Sequence, residues 1–231
     1  MLSISTTNRW EHTFPDATIG VLELSGIDNT RPVPALDGQK RAIEAALRAR
    51  YQGYTRQDFL ALPAMAAYAR YYKQFNKTFH VLQQVESIAL KGKRLPNVSP
   101  LVDANFTAEV DTLILTAGHD VAKLAGAITI DVSREGDQMV LMNGKPKTIL
   151  PDDMVMKDDG GICCTIIYGQ DNRSPISPAT SHVLYVAYAP AGVPRDAVET
   201  HFKKIEANIR LFSETAVVEQ CTMLCANADV G

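Results

Sequence analysis

A histidine beside a carboxylate is the first feature of this sequence that could do chemistry. His119 and Asp120 follow Gly118 in the segment "TAGHD". A histidine and an aspartate together can act as an acid–base pair that takes a proton from an attacking water. Adjacent residues in a turn seldom face each other, and Asp120 is also well placed to cap the short helical segment "DVAKL" that it begins. Two interpretations stay open: a catalytic His119, or a capping Asp120 with His119 packed as an aromatic side chain.

A glycine turn after an apolar strand is the second candidate site. The run "GGICCTIIYGQ" ends at Tyr168, Gly169 and Gln170, where backbone N–H groups could bind an oxyanion or a substrate. A plain turn is the alternative. His182 comes directly before the apolar run "VLYVAYA" and is a candidate ligand contact at the rim of the same site. Asp103 lies near the start of a predicted helix, where a carboxylate interacts favourably with the helix dipole.

The four cysteines do not have the spacing of a metal site. Cys163 and Cys164 are adjacent, whereas Cys221 and Cys225 lie four apart. Zinc ligands usually come as two pairs separated by two to four residues. We therefore predict buried thiols and no metal or organic cofactor. The sequence also contains no phosphate-binding loop, dinucleotide fingerprint or nucleophile elbow.

Basic residues are concentrated in one part of the chain. From Arg31 to Arg94 there are twelve Lys and Arg against four Asp and Glu, whereas the rest has eleven against twenty-two. Such a segment predicts either a polyanion-binding face or the solvated surfaces of several helices. Nearby aromatic residues could stack on bases, or could equally be core residues at helical spacing. The candidate RNA contacts are Lys73, Lys77, Lys91, Lys93 and Arg94.

The order of elements predicts an α+β fold. Helical periodicity dominates up to about residue 113, strand-like runs follow, and a helix with an apolar stripe begins after Pro194. Asn143-Gly144 predicts a β-hairpin turn. No apolar run is long enough to cross a membrane and the N-terminus does not have the pattern of a signal peptide, so we expect a soluble, cytoplasmic protein.

Several of these motifs together resemble the B3/B4 domain of the phenylalanyl-tRNA synthetase beta subunit. The segments are "YYKQFNKTFHVLQQVESIALKGKRLPNVSPLVDANF", "GHDVAKLAGAITIDV" with its "D-x-x-K-L-x-G" turn, and "DDMVMKDDGGICCTIIYGQDNRSPISPATSHVLYVAYAP". The resemblance covers residues 68–190 and is closest to free-standing versions of the domain. It implies a helical N-terminal part packed on a mixed or antiparallel sheet core, layered β/β/α, with a C-terminal helix. We expect one domain over residues 1–231, with residues 1–66 as an N-terminal strand and helical extension and 67–231 as the core.

The resemblance also implies a function at the acceptor end of tRNA, and no partnership with DNA or a membrane. In the synthetase, this domain hydrolyses tyrosine wrongly attached to the phenylalanine tRNA. A free-standing relative would hydrolyse mischarged aminoacyl-tRNA in trans, a need that arises because binding pockets separate similar amino acids by only a few kcal/mol. The resemblance further implies that Asp103 or Glu109 faces the substrate cavity.

Three positions depart from the pattern of the synthetase editing site. Ala117 occupies the position of its histidine, Val186 that of its glutamate, and Tyr168 that of the first glycine of a pair. Two alternatives to tRNA editing therefore stay open. One is an RNA-binding module without catalysis, and the other is an enzyme acting on a small free aminoacyl compound.

Overall fold

The computed structural model of the protein describes residues 1–226. Its strands and helices follow in chain order: β1 (Ile4–Thr6), α1 (Asn8–Thr13), β2 (Thr18–Ser25), α2 (Pro34–Arg50), α3 (Arg56–Ala61), α4 (Pro63–Gln74), α5 (His80–Ala89), α6 (Pro100–Thr112), β3 (Thr116–Asp120), β4 (Ile128–Val132), β5 (Gln138–Val140), β6 (Pro146–Thr148), β7 (Met154–Asp158), β8 (Gly161–Thr165), β9 (Gly169–Gln170), β10 (Val183–Ala189), α7 (Arg195–Arg210) and β11 (Val217–Cys225).

Two main sheets form the β part of the fold. One is antiparallel with the strand order β11-β2-β10-β3, which leaves β3 at an edge. The other has the order β1-β4-β7-β8-β9 and is antiparallel except for the β1–β4 pair. All seven residues of β10 are buried, because this central strand is covered on both faces. With seven helices around these sheets, the predicted α+β class is confirmed.

Helix α7 packs closely on the antiparallel sheet. Its apolar stripe includes Val198, Phe202 and Ile205, all of which are buried. Gly20 of β2 faces this stripe, and a Cβ atom there would lie 2.7 Å from the side chains of both Val198 and Phe202. A residue without a side chain therefore lets the helix approach the strand.

Most local sequence signals hold in the structure. Asn143-Gly144 lies in the β5–β6 hairpin, and Asp120 caps a 3₁₀ turn by accepting a hydrogen bond from the N–H of Ala122 at 3.2 Å. The predicted turn at Gly118-His119 is wrong, because both residues belong to β3, which pairs with β10. None of the helices within residues 1–226 is long and apolar enough to cross a membrane.

The cysteine prediction is correct in part. Cys163 and Cys164 are buried thiols on β8, but Cys221 is exposed on β11, a strand that we did not predict. Within the described part of the chain, no group of three or more His, Cys, Asp or Glu side chains is arranged to hold a metal ion.

Candidate functional site

A cavity of about 390 Å³ lies between α6, the edge strand β3 and the β8–β9 turn. Helix α6 contributes Val102, Asn105, Phe106 and Glu109, whose i, i+3, i+4, i+7 spacing places them on one face of the helix. The β8–β9 turn contributes Gly169 and Gln170. The structure thus brings together three of the predicted site residues, since Glu109, Gly169 and Gln170 all border the cavity.

Glu109 is the buried carboxyl group of this cavity. The residue is 2% exposed, and its Oε1 atom has no hydrogen-bond partner. Burial raises the pKa of Glu109 to about 8, although the backbone N–H of Thr116 favours the ionised form. The carboxyl group is therefore mostly protonated at neutral pH and can donate a proton.

The edge of β3 presents backbone donors to the same cavity. The side-chain amides of Asn105 and Gln170 donate to the carbonyls of Thr116 and Gly118, at 3.2 and 2.8 Å. In an antiparallel strand the N–H and C=O of one residue point to the same side. The N–H groups of Thr116 and Gly118 consequently point away from β10, on the edge of β3 that borders the cavity.

His119 lies behind this edge and does not border the cavity. It is completely buried, and its Nδ1 atom is 2.8 Å from Oγ of Ser174 and 3.0 Å from Nε2 of Gln170. Burial lowers the pKa of His119 to about 3, so the ring is neutral at physiological pH. The histidine contacts the cavity only through Gln170.

Asp103 and His182 also lie outside the cavity. The carboxylate of Asp103 accepts from Nζ of Lys40 at 2.7 Å and from the N–H of Val98 at 2.9 Å, and it pairs with Arg31. His182 instead pairs with Glu23 at 2.9 Å, on the side of β10 that adjoins β2. The resemblance named Asp103 or Glu109 as the residue facing the cavity, and in the structure only Glu109 does so.

Tyr168 turns away from the cavity that its neighbours border. Its ring packs beside a small apolar cluster and lies under two lysines. Nζ of Lys147 is 4.9 Å from the ring centre and Nζ of Lys77 is 6.0 Å away. Cations at this distance are attracted to an aromatic face. The side chain of Tyr168 therefore belongs to a cationic surface and not to the cavity wall.

A basic groove adjoins the cavity. It has a volume of about 410 Å³, shares His80 and Phe106 with the cavity, and is bordered by Lys93 and Arg94. Of the other predicted RNA contacts, Lys91 follows the end of α5, while Lys73 and Lys77 are exposed at the end of α4. The nearby aromatic residues are core residues and are not available for base stacking: Tyr72, Phe75 and Phe79.

Asn105 and Tyr188 are two of the polar cavity residues that were not predicted. Asn105 lies on α6 between Val102 and Phe106, which also border the cavity. The i, i+4 spacing of Asn105 and Glu109 is the signal that could have revealed it. Tyr188 is hidden in the apolar run of β10, and its hydroxyl has no hydrogen-bond partner.

The fold and site define an α+β domain with a partly open cavity and a basic groove beside it. Residues 64–211 match the family model of the B3/4 domain, so the chain belongs to the B3/4 domain family. The resemblance on which the sequence prediction rested is thereby confirmed.

The chain is similar to the phenylalanine–tRNA ligase beta subunit of Anaeromyxobacter dehalogenans (strain 2CP-C). The two are 31% identical over an alignment of 124 positions, which covers 49% of this chain and 14% of that relative's length. An N-terminal fragment of the phenylalanyl-tRNA synthetase beta subunit from Pyrococcus horikoshii also matches in structure. The TM-score is 0.48 with 6% identity, over 95% of this chain and 54% of that one. The domain is thus related to tRNA synthetases.

Proposed function

We propose that this domain binds the 3′ end of aminoacyl-tRNA and hydrolyses the aminoacyl ester, acting in trans on mischarged tRNA. The observation that carries the proposal is that two surfaces adjoin. A cavity containing a protonated carboxyl group shares His80 and Phe106 with a groove bordered by Lys93 and Arg94. A phosphate chain held in the groove would direct the terminal ester into the cavity.

The residues that border the cavity suggest how the reaction would proceed. Water attacks the ester carbonyl carbon, and the developing oxyanion accepts a hydrogen bond from the N–H of Gly118. The bond to the ribose oxygen then breaks, and Glu109 supplies the proton that this oxygen needs. A proton from the attacking water restores the carboxyl group. The terminal hydroxyl of the tRNA itself assists in placing the water.

Residues outside the cavity have supporting roles in this proposal. His119 holds the side chain of Gln170 against the edge of β3, and Asp103 fixes the chain around Val98 beside the mouth of the cavity. The exposed cations contact tRNA phosphates: Lys73, Lys77, Lys91, Lys93 and Arg94. Tyr168 and its lysines extend this surface, and His182 acts only through the stability of the sheet.

A panel of mischarged tRNAs tests the proposal, with tyrosine on the phenylalanine tRNA as the first choice. Release of the amino acid is followed over time with and without the protein. We expect at least one mischarged tRNA to be deacylated faster than its spontaneous hydrolysis, and the correctly charged tRNA to be spared. Release at the spontaneous rate across the whole panel would contradict the enzyme proposal.

A second candidate function is tRNA binding without catalysis. Ala117 and Val186 stand directly opposite each other in the β3–β10 pair, where the resemblance leads one to expect a histidine and a glutamate. Electrophoretic mobility with uncharged tRNA over a salt series tests this alternative, since phosphate contacts predict steep weakening with salt. Salt-dependent binding without any deacylation would favour it.

A further inference from the structure

Three buried polar atoms in the cavity have no hydrogen-bond partner. They are Oδ1 of Asn105, Oε1 of Glu109 and the hydroxyl of Tyr188, and all three residues border the same space. A buried polar group without a partner destabilises a protein, and most such groups are satisfied in native structures. Three in one cavity indicate that a ligand supplies the missing partners.

The identity of the missing partner follows from what these atoms can do. The Nδ2 group of Asn105 donates to the carbonyl of Thr116, which fixes the amide so that Oδ1 presents an acceptor. The carboxyl group of Glu109 is an acceptor as well when it is ionised. No Lys or Arg of residues 1–226 borders the cavity. A ligand group that satisfies Asn105 must therefore be a hydrogen-bond donor, and no cation of the cavity wall would repel a positive charge on it.

We propose that Asn105 and Glu109 bind a primary ammonium group, the α-amino group of an aminoacyl ester, with the Tyr188 hydroxyl as a third acceptor. This inference rests on the proposed function and names the feature of the substrate that the cavity selects. Residues four apart on a helix have Cβ atoms about 5–6 Å apart, so one nitrogen can lie within about 2.9 Å of an oxygen of each side chain. An N-acylated amino group has one donor and no charge, so it cannot satisfy these acceptors together.

The charges of the two adjoining surfaces match the two ends of such a substrate. Acceptors line the inner cavity, whereas Lys93 and Arg94 border the outer groove. An aminoacyl nucleotide has its ammonium at one end and its phosphates at the other. A peptidyl or N-acetylated nucleotide has only the anionic end, and we expect the cavity to exclude it.

The ammonium and Glu109 share one proton, which gives binding a defined pH dependence. The other titratable groups that border the cavity are His80, Cys164 and Tyr188, and Tyr68 and Tyr72 approach Glu109 from α4. Below neutral pH both partners are protonated, and at high pH neither is. Since a free α-amino group titrates near pH 8, affinity should pass through a maximum near pH 8.

Calorimetry with two adenosine compounds tests the inference. One carries a phenylalanyl group through a stable amide at the 3′ position, and the other is the same compound with its α-amino group acetylated. We expect the first to bind at least about 100-fold more tightly, since its charged hydrogen bonds are lost in the second. Glu109→Gln should weaken only the first compound, by about tenfold or more, and Glu199→Gln on α7 should change neither.

Equal affinity for the two compounds, or binding of neither, would overturn the inference. Because the comparison is made between two ligands on the unaltered protein, it does not depend on the folding of a variant. Deacylation separates the inference from the proposed function. Equal hydrolysis of an aminoacyl-tRNA and its N-acetylated form would overturn the inference and leave the hydrolase standing. Discrimination in binding without any hydrolysis would support the inference and contradict the hydrolase.

Discussion

Two of the buried carboxyl groups on helix α6, those of Asp103 and Glu109, look equivalent in sequence and differ completely in surroundings. Asp103 has every partner that a carboxylate needs, because Lys40, Arg31 and the N–H of Val98 surround it. Glu109 lies six residues later, and its Oε1 atom faces the cavity without a partner. A buried charge with all its partners is part of the structure, whereas a buried carboxyl group without them is available to a ligand.

The Asp103 cluster explains how the approach to the cavity keeps its shape. Nζ of Lys40 donates to the carbonyl of Pro96 and to Oδ1 of Asn97, both at 2.5 Å, as well as to Asp103. The segment 96–98 is therefore fixed to α2 and α6. Pro96 borders the basic groove and Val98 borders the cavity. Asp103 thus positions the chain at the edge of the cavity, whereas Glu109 borders the cavity itself.

Asparagine at position 103 should produce the largest loss of stability. Asp103→Asn leaves Lys40 buried without an anion, and breaking a buried ion pair typically costs about 3–5 kcal/mol. Urea denaturation at neutral pH should show a loss of about 3 kcal/mol or more in the free energy of unfolding. Asp196→Asn, at an exposed position on α7, is the control and should change it by less than about 0.5 kcal/mol. A loss below about 1 kcal/mol for Asp103→Asn would show that the two carboxyl groups do not differ as described.

Glu109 should instead make stability depend on pH. Its pKa is raised in the folded protein, so the folded state binds more protons than the unfolded state between the two pKa values. Its stabilising contribution is complete below about pH 4.5 and is lost as pH rises through about 8, at about 1.4 kcal/mol for each pKa unit. Relative to Glu109→Gln, the wild-type protein should lose several kcal/mol between about pH 5 and pH 9 in urea titrations. Parallel pH profiles for the two proteins would contradict the protonated state.

Reversing the charges of the groove should affect tRNA binding and leave stability unchanged. Lys93→Glu and Arg94→Glu are each expected to weaken binding of uncharged tRNA about tenfold at low salt. In the double variant, the slope of log affinity against log salt concentration should be smaller in magnitude by about two. Lys203→Glu, at an exposed position on α7, is the matched control. Filter binding over a salt series measures both quantities. Equal effects of the control and of the groove variants would place the RNA surface elsewhere.

Titration of His119 should not affect the pH dependence of deacylation. With its pKa near 3, the ring is neutral throughout the range in which the protein is active. The pH profile of kcat/KM for deacylation should therefore have no inflection between about pH 5 and pH 7, where an ordinary histidine titrates. An inflection near pH 6.5 that disappears in His119→Gln would assign proton transfer to His119 and would remove Glu109 from that role.

Local chemistry explains which parts of this molecule could be predicted from sequence. The hairpin at Asn143-Gly144 and the cap at Asp120 depend on neighbouring residues alone, and both were predicted correctly. Gly118-His119 was predicted as a turn because glycine is common there, but pairing with a strand 65 or more positions away overrides that preference. Strands β1 and β11 were missed for the same reason, since each depends on a distant partner.

The candidate site depends even more on contacts between residues that are distant in sequence. Sequence reasoning found Glu109, Gly169 and Gln170, but it could not separate Glu109 from Asp103. The residue that decides the matter is Lys40, which lies 63 positions before Asp103 on another helix. His182 was placed at the pocket because of its position before β10, and its actual partner, Glu23, is 159 positions away. Which polar groups lack partners is a property of the folded molecule.

The single-turnover rate of amino acid release tests the central claim most directly. The mischarged tRNA that is hydrolysed fastest would be mixed with an excess of wild-type protein or of Glu109→Gln, after both have been shown to be folded by circular dichroism. If Glu109 donates the proton to the leaving ribose oxygen, the variant should release the amino acid about 100-fold more slowly. A rate within about twofold of the wild-type rate would contradict the account, because the unpartnered carboxyl group of the cavity would then have no part in the chemistry.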